Sequence, residues 1–148
     1  MTVLLVSTCA EPLSEAEFVA PLERIACDAG GTVESVHLDT LEGVPEGVSH
    51  ILLAGTALQD DKYLKEITAV KRLLGAGRPL LAVCSGMQLL ADACGGEIIA
   101  QREIGMVAVE TLVENPLCAG RFEAFALHRH AVEPGPRLEV LARSEGCA

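Results

Sequence analysis

Apolar residues in the first two thirds of the chain fall into two rhythms. One is short unbroken runs, the other is repeats at helical spacing. Val3–Ser7 is a continuous β-branched and leucine run that predicts a buried first strand. Ser14 reads as a helix N-cap with Glu15 and Glu17 in the first turn. Phe18, Leu22, Ile25 and Ala26 then recur on one helical face until Gly30-Gly31 ends it. Thr32–Leu38 alternates as a second strand, and Ser49–Ala54, centred on Ile51-Leu52-Leu53, is a third. From about Asp61 to Leu74 a helix carries Leu64, Ile67, Val70, Leu73 and Leu74 on one face, closed by Gly75 and Gly77. The strand Leu80–Val83 and a helix from about Gly86 to Ala93 follow. This β-α-β-β-α-β-α order predicts an α/β fold: a flavodoxin-like, doubly wound, mostly parallel sheet with helices on both faces. After Gly95-Gly96 the texture changes. Glu97–Ala100, Met106–Val113, Phe122–Leu127 and Leu138–Ala142 read as strands joined by turns, Pro134-Gly135-Pro136 among them. They predict an antiparallel C-terminal extension on the main sheet. No repeat or linker divides the chain, so residues 1–148 read as a single domain.

Composition sharpens this picture. Half of the 148 residues are hydrophobic but only 3% are aromatic, so the core must be filled by Leu, Val, Ile and Ala, as in parallel α/β sheets. The formal net charge of -10 leaves no basic stripe to neutralise phosphates, which argues against a nucleic-acid partner. The six cysteines form no C-x-x-C pair and no histidine stands at metal-ligand spacing. They read as reduced thiols in the cytoplasm, with no metal and no cofactor expected. No signal peptide stands in front, and the apolar stretches are far too short to span a membrane.

The candidate chemistry centres on Cys84, in Pro79-Leu80-Leu81-Ala82-Val83-Cys84-Ser85-Gly86-Met87-Gln88-Leu89-Leu90. An apolar strand runs straight into a helix with a thiol on the turn. Such an elbow is tight and needs small neighbours, which Ala82, Ser85 and Gly86 supply. It places the sulfur at the carboxyl end of a sheet and the amino end of a helix, where peptide dipoles favour the thiolate. The plainer reading is a small apolar cysteine that falls on a β–α turn.

Three segments carry a resemblance that covers nearly the whole chain. Val83-Cys84-Ser85-Gly86-Met87-Gln88-Leu89-Leu90 is similar to a G-I-C-x-G-x-Q-L-L elbow. Ile51-Leu52-Leu53-Ala54-Gly55-Thr56-Ala57-Leu58 resembles a segment that reads S-G-G or S-G-T. Ala126-Leu127-His128, Ala131-Val132 and Leu138–Glu145 resemble a stretch around S-H-x-D-x-V and a v-L-A-x-S strand. The family so resembled is the class I glutamine amidotransferases, including short stand-alone members and GMP-synthetase-type glutaminase subunits. The resemblance implies that Cys84 attacks the side-chain amide of glutamine, forms a thioester and releases ammonia, and that water then frees glutamate. The oxyanion donors implied are the Ser85 N–H and one from the Gly55-Thr56 loop. Gln88 matches a glutamine-binding position, and His128 matches a residue on the rim of the site. The partners implied are glutamine and an ammonia-accepting synthetase, with a homodimer contact as a further expectation.

Two departures from the family pattern stand out. Ala82 replaces the first Gly of the elbow. More seriously, the base and its carboxylate come in the family from a late H-P-E segment, and this chain has none. The expectation is therefore a C-terminally incomplete domain. The absent segment would supply a strand beside the elbow strand and a closing helix, so a truncated sequence, a covering partner or a rearrangement are the alternatives. His128 and His130 are the substitutes to consider for the base. His37 and His50 read as structural or exposed, and Asp60, Asp61 and Glu110 as surface charges. Two other functions stay open: an inactive amidotransferase-like module kept for binding or regulation, and a relative of the DJ-1/PfpI group. The latter places a histidine directly after the elbow cysteine, where Ser85 stands here.

Overall fold

A computed structural model describes residues 1–147. Four parallel strands form the first sheet: β1 (Thr2–Ser7), β2 (Thr32–His37), β3 (His50–Leu53) and β4 (Leu80–Ala82), in the order β2-β1-β3-β4. Register is set by the apolar runs, with Leu4 opposite Ile51, Val6 opposite Leu53, and Leu53 opposite Ala82. Helices α1 (Pro12–Phe18), α2 (Ala20–Asp28), α3 (Ile67–Gly75) and α4 (Ser85–Ala93) complete this layer.

Alternate residues of each strand serve opposite faces. Leu4, Val6, Ile51 and Leu53 pack with Val70 and Leu73 of α3 and Leu89 of α4, all nearly inaccessible to water. Leu5 and Ala54 pack on the other side with Val19, Phe18 and Leu22. Burying each of the larger aliphatic side chains is worth about 1.5–3 kcal/mol against leaving it exposed. The sheet is therefore covered on both faces, but unevenly. Leu80 and Ala82 join the first cluster, whereas Leu81 and Val83 are 52% and 37% exposed, and among the described residues β4 pairs with β3 alone.

Several sequence-based boundaries move. The first helix starts at Pro12 with Glu11 as its N-cap, which puts Ser14 inside the helix, and it breaks at Val19. Pro21 explains the break, because it has no N–H to continue the ladder of α1 yet suits the first turn of α2. The helix expected from Asp61 is a 3-10 turn, Lys62–Lys65, followed by α3.

The largest correction concerns the C-terminal strands. They do not extend the main sheet but form a second one, of order β6-β5-β7. Glu97–Ala100 and Met106–Thr111 belong to one long strand, β5 (Glu97–Thr111), paired antiparallel with β6 (Arg121–Glu133), and the expected Leu112 and Val113 fall beyond its end. The register shifts between Ala100 and Glu103, an irregularity that bends the strand without ending it. Of the expected last strand, Leu138–Ala142, only Ala142 falls in the observed one, β7 (Ala142–Arg143), which pairs with β5. Hydrophobic alternation fixes which residues share a face but does not say which strand is the neighbour, so the separate sheet was not readable from it.

Candidate active site

The tails of β1, β3 and β4 converge at the carboxyl end of the first sheet, where parallel strands all leave their loops. Cys84 leads from β4 into α4 with φ 52° and ψ −118°, and it is the one non-glycine residue with positive φ among the described residues. This sparsely populated conformation costs about 1–3 kcal/mol and persists only where its surroundings enforce it. They do so through tight packing. A Cβ on Gly86 would lie 2.6 Å from the Leu53 carbonyl oxygen and 2.8 Å from that of Ala54, so only glycine lets α4 start against β3. A Cβ on Gly55 would lie 2.9 Å from the Cys84 Cβ and 3.7 Å from its Sγ, so the β3 tail runs directly beside the thiol.

Gly55, Thr56, Cys84, Ser85, Gln88 and His128, the residues singled out by sequence, line one cleft of about 420 Å³. A larger cavity of about 770 Å³ lies against the second sheet, away from Cys84. Cys84 is exposed to this cleft. The N–H groups of Gly55 and Thr56 bond to no acceptor among the described residues, although both residues are buried. The Ser85 N–H is directed at the Cys84 sulfur.

The electrostatics run against the expected thiolate. Burial pushes the Cys84 thiol up from its ordinary value, and the Ser85 N–H offsets only part of this. No histidine or carboxylate hydrogen-bonds to the sulfur among the described residues. His128 enters the cleft, but its ring is engaged elsewhere: Nε2 lies 3.3 Å from Glu103 Oε2 and Nδ1 3.2 Å from the Gln101 carbonyl. His130 contributes its backbone, whose carbonyl accepts from Gln88 Nε2 at 2.9 Å. Gln88 is 3% exposed and also accepts at Oε1 from the Tyr63 hydroxyl, so it ties α4 to β6 and to the 3-10 turn. Burial above all pushes the Tyr63 phenol up to about 12, keeping it a donor.

Residues that sequence reading passed over build the rear of the site. Thr8 Oγ1 donates to the Ala54 carbonyl at 3.1 Å and bonds Ser85 Oγ at 3.0 Å. Cys9 Sγ donates to the Gly55 carbonyl at 3.5 Å. Asp60, expected to be a surface charge, accepts from Ala10 N–H at 2.7 Å, the Thr56 hydroxyl at 2.8 Å and Lys62 N–H at 3.0 Å. Burial raises its carboxyl, but these three donors outweigh it and hold it below the ordinary value. Asp61 pairs with Arg129 across the cleft mouth. An Asp in the loop after β3, where its carboxylate can accept from nearby backbone N–H groups, was the available signal for Asp60; Thr8 carried none. Among the described residues no three His, Cys, Asp or Glu side chains gather as a metal-binding group, and no helix is long and apolar enough to cross a membrane.

Comparison with known families bears on this arrangement. The family Glutamine amidotransferase class-I matches residues 14–147. The chain belongs to that family. A subunit of the glutamine-hydrolyzing GMP synthase of Methanococcus vannielii is 30% identical over 132 residues, covering 85% of this chain and 67% of the relative. A GMP synthase of Aeropyrum pernix is 34% identical over 121 residues, 77% of this chain. Another, from Thermomicrobium roseum, is 40% identical over 78 residues, 49% of this chain. The chain spans 15% and 23% of the length of the Thermomicrobium and Aeropyrum proteins. Among solved structures, a glutamine amidotransferase of Thermotoga maritima superposes with a TM-score of 0.77 at 22% identity, over 99% of this chain and 68% of its own. One from Methylobacillus flagellatus gives 0.68 at 20% identity, over 100% of this chain and 62% of its own. At these identities the likeness establishes the amidotransferase fold, with its parallel sheet flanked by helices.

Proposed function

We propose that this chain is a glutaminase unit that hydrolyses the side-chain amide of glutamine and hands the ammonia to an acceptor synthetase. The observation that carries this reading is Cys84 at φ 52°, held beside the unbonded N–H groups of Gly55 and Thr56. Attack of the Cys84 sulfur on the amide carbonyl carbon forms an S–C bond and drives negative charge onto the amide oxygen. Fixed donors aimed at that oxygen are commonly the largest source of rate enhancement in acyl transfer. Gly55, Thr56 and Ser85 offer them here. Collapse of the adduct breaks the C–N bond, and the nitrogen leaves as ammonia once it has taken a proton. Water then cleaves the thioester to glutamate and regenerates the thiol. Gln88 would hold the wall of the glutamine pocket, through its bonds to Tyr63 and His130. The partner implied by the GMP synthase relatives is a synthetase that consumes the ammonia.

The raised thiol favours a second reading, in which the cleft binds glutamine or a similar small amide without turning it over. Ammonia release from glutamine, measured beside Cys84→Ala and with and without an acceptor synthetase, decides between them. Release that disappears in the variant supports the glutaminase. Glutamine binding without release, under all conditions, supports the binding module.

A further inference from the structure

Two buried side chains behind the cleft have no place in the chemistry just described. Thr8 and Cys9 sit on the tail of β1, both 3% exposed, and each bonds a backbone carbonyl of the neighbouring β3 tail. The peptide unit is planar, with C=O and N–H on opposite edges. Fixing the carbonyl of one residue therefore fixes the direction of the next residue's N–H. Thr8 Oγ1 holds the Ala54 carbonyl at 3.1 Å, which sets the plane carrying the Gly55 N–H. Cys9 Sγ holds the Gly55 carbonyl at 3.5 Å, which sets the plane carrying the Thr56 N–H. Thr8 Oγ1 also bonds Ser85 Oγ at 3.0 Å, so a single hydroxyl spans the β3 tail and the residue after the nucleophile.

We infer that Thr8 and Cys9 are positioning residues, which lock the peptide planes of the β3 tail so that their N–H groups meet the oxyanion formed at Cys84. This rests on the glutaminase reading. Neither side chain touches the reacting atoms. Thr8 is the more important of the two, because a hydroxyl holds a carbonyl more firmly than a thiol does. Asp60 secures the far end of the same segment, through the Thr56 hydroxyl and the Ala10 N–H. The three groups together hold the two peptide planes from Ala54 to Thr56.

The test compares two alkylating probes of Cys84. A glutamine-analogue chloroketone presents a carbonyl whose oxygen needs the donors as sulfur adds. Iodoacetamide alkylates the same sulfur by direct displacement and needs none. The ratio of their second-order rate constants is read for wild type, Thr8→Val, Thr8→Ser, Cys9→Ala and Cys9→Ser, each first checked for a native unfolding transition. Thr8→Val keeps shape and loses the hydroxyl, and should lower the ratio about tenfold, a fraction of the loss seen when a donor is deleted outright. Thr8→Ser should restore it, and Cys9→Ala should lower it by a smaller factor that Cys9→Ser recovers. A purely structural role would slow both probes alike or change only stability. An unchanged ratio in folded Thr8→Val, with wild type still preferring the chloroketone, overturns the inference alone. A wild type with no preference for the chloroketone overturns the glutaminase reading and this inference together.

Discussion

Replacing Gly86 by alanine tests the packing on which the elbow depends. Helix propensity favours the change: in a helix interior alanine is better than glycine by about 0.8–1 kcal/mol, and less of that is realised in the first turn. Packing opposes it. The new methyl would stand 2.6 Å from the Leu53 carbonyl oxygen, 2.8 Å from that of Ala54 and 2.8 Å from Leu53 Cγ. Two of these three are backbone atoms of β3 and its tail, which cannot swing aside. To reach an ordinary contact of 3.4 Å, the start of α4 must retreat by about 0.8 Å. Overpacking of this kind costs about 1–3 kcal/mol, so a net loss of about 1–2 kcal/mol remains after the propensity gain. For a domain of this size that lowers Tm by roughly 2–8 °C.

The same retreat separates the Ser85 N–H from the Gly55-Thr56 loop. A misplacement near 1 Å costs about a hundredfold in a reaction that depends on geometry, so glutamine hydrolysis should fall far more than stability does. Thermal unfolding and ammonia release are measured side by side. Gly75→Ala is the control, since a Cβ there meets nothing within 4 Å and only the propensity effect should appear. A Gly86→Ala protein as stable as wild type would refute the close approach of α4 to β3.

Three further outcomes follow from the same structure. Tyr63→Phe leaves the buried Gln88 Oε1 without its donor and should cost about 1–3 kcal/mol in urea unfolding, whereas an unchanged midpoint would mean that Gln88 finds another partner. His37 bonds the Cys9 carbonyl through Nε2 and Asp39 through Nδ1; burial opposes its charge, but these acceptors outweigh it and its pKa is raised above 6.5. Its contribution is thus fully present below the unfolded value and fades as pH rises through the folded one. Wild type should lose stability relative to His37→Gln as pH rises above 6.5, and parallel curves would remove His37 from the account. Alkylation of Cys84 by iodoacetamide should rise with pH along a titration centred above 9.0; a midpoint well below that would reveal a cation or base at the sulfur.

The readable parts of the site are those whose cause is local. The elbow could be found because the demands of a tight strand-to-helix turn fall on Ala82, Ser85 and Gly86, immediate neighbours of Cys84. Gly55 and Thr56 came from the family resemblance, and the structure supplies a physical reason for Gly55, where an added Cβ would stand 2.9 Å from the Cys84 Cβ. Thr8 stayed hidden because its partners lie 46 and 77 residues away, a pairing that follows from strand order and not from spacing. Asp60 was misread for a related reason. Its charge predicted exposure, but donors from the tails of β1 and β3 and from the 3-10 turn converge on it. Pro12 and Pro21 were legible signals of helix starts that the run of apolar positions obscured.

The two halves of the chemistry thus have different origins. On the proposed reading, donors for an oxyanion would come from strand tails that the parallel sheet brings together at one end, held by the first sheet's own buried residues. The same scaffold partly buries Cys84, which raises its thiol above the ordinary value, with only the Ser85 N–H opposing that. A cation or base beside the sulfur would favour the thiolate. His128 does not provide it while its ring faces Glu103 and the Gln101 carbonyl. On the glutaminase reading proposed above, a group that favours the thiolate would come to the cleft that exposes the sulfur. An acceptor protein that bound there and brought such a group would shift the Cys84 alkylation midpoint downward. One that bound without moving the midpoint would leave the cleft a receptor for glutamine.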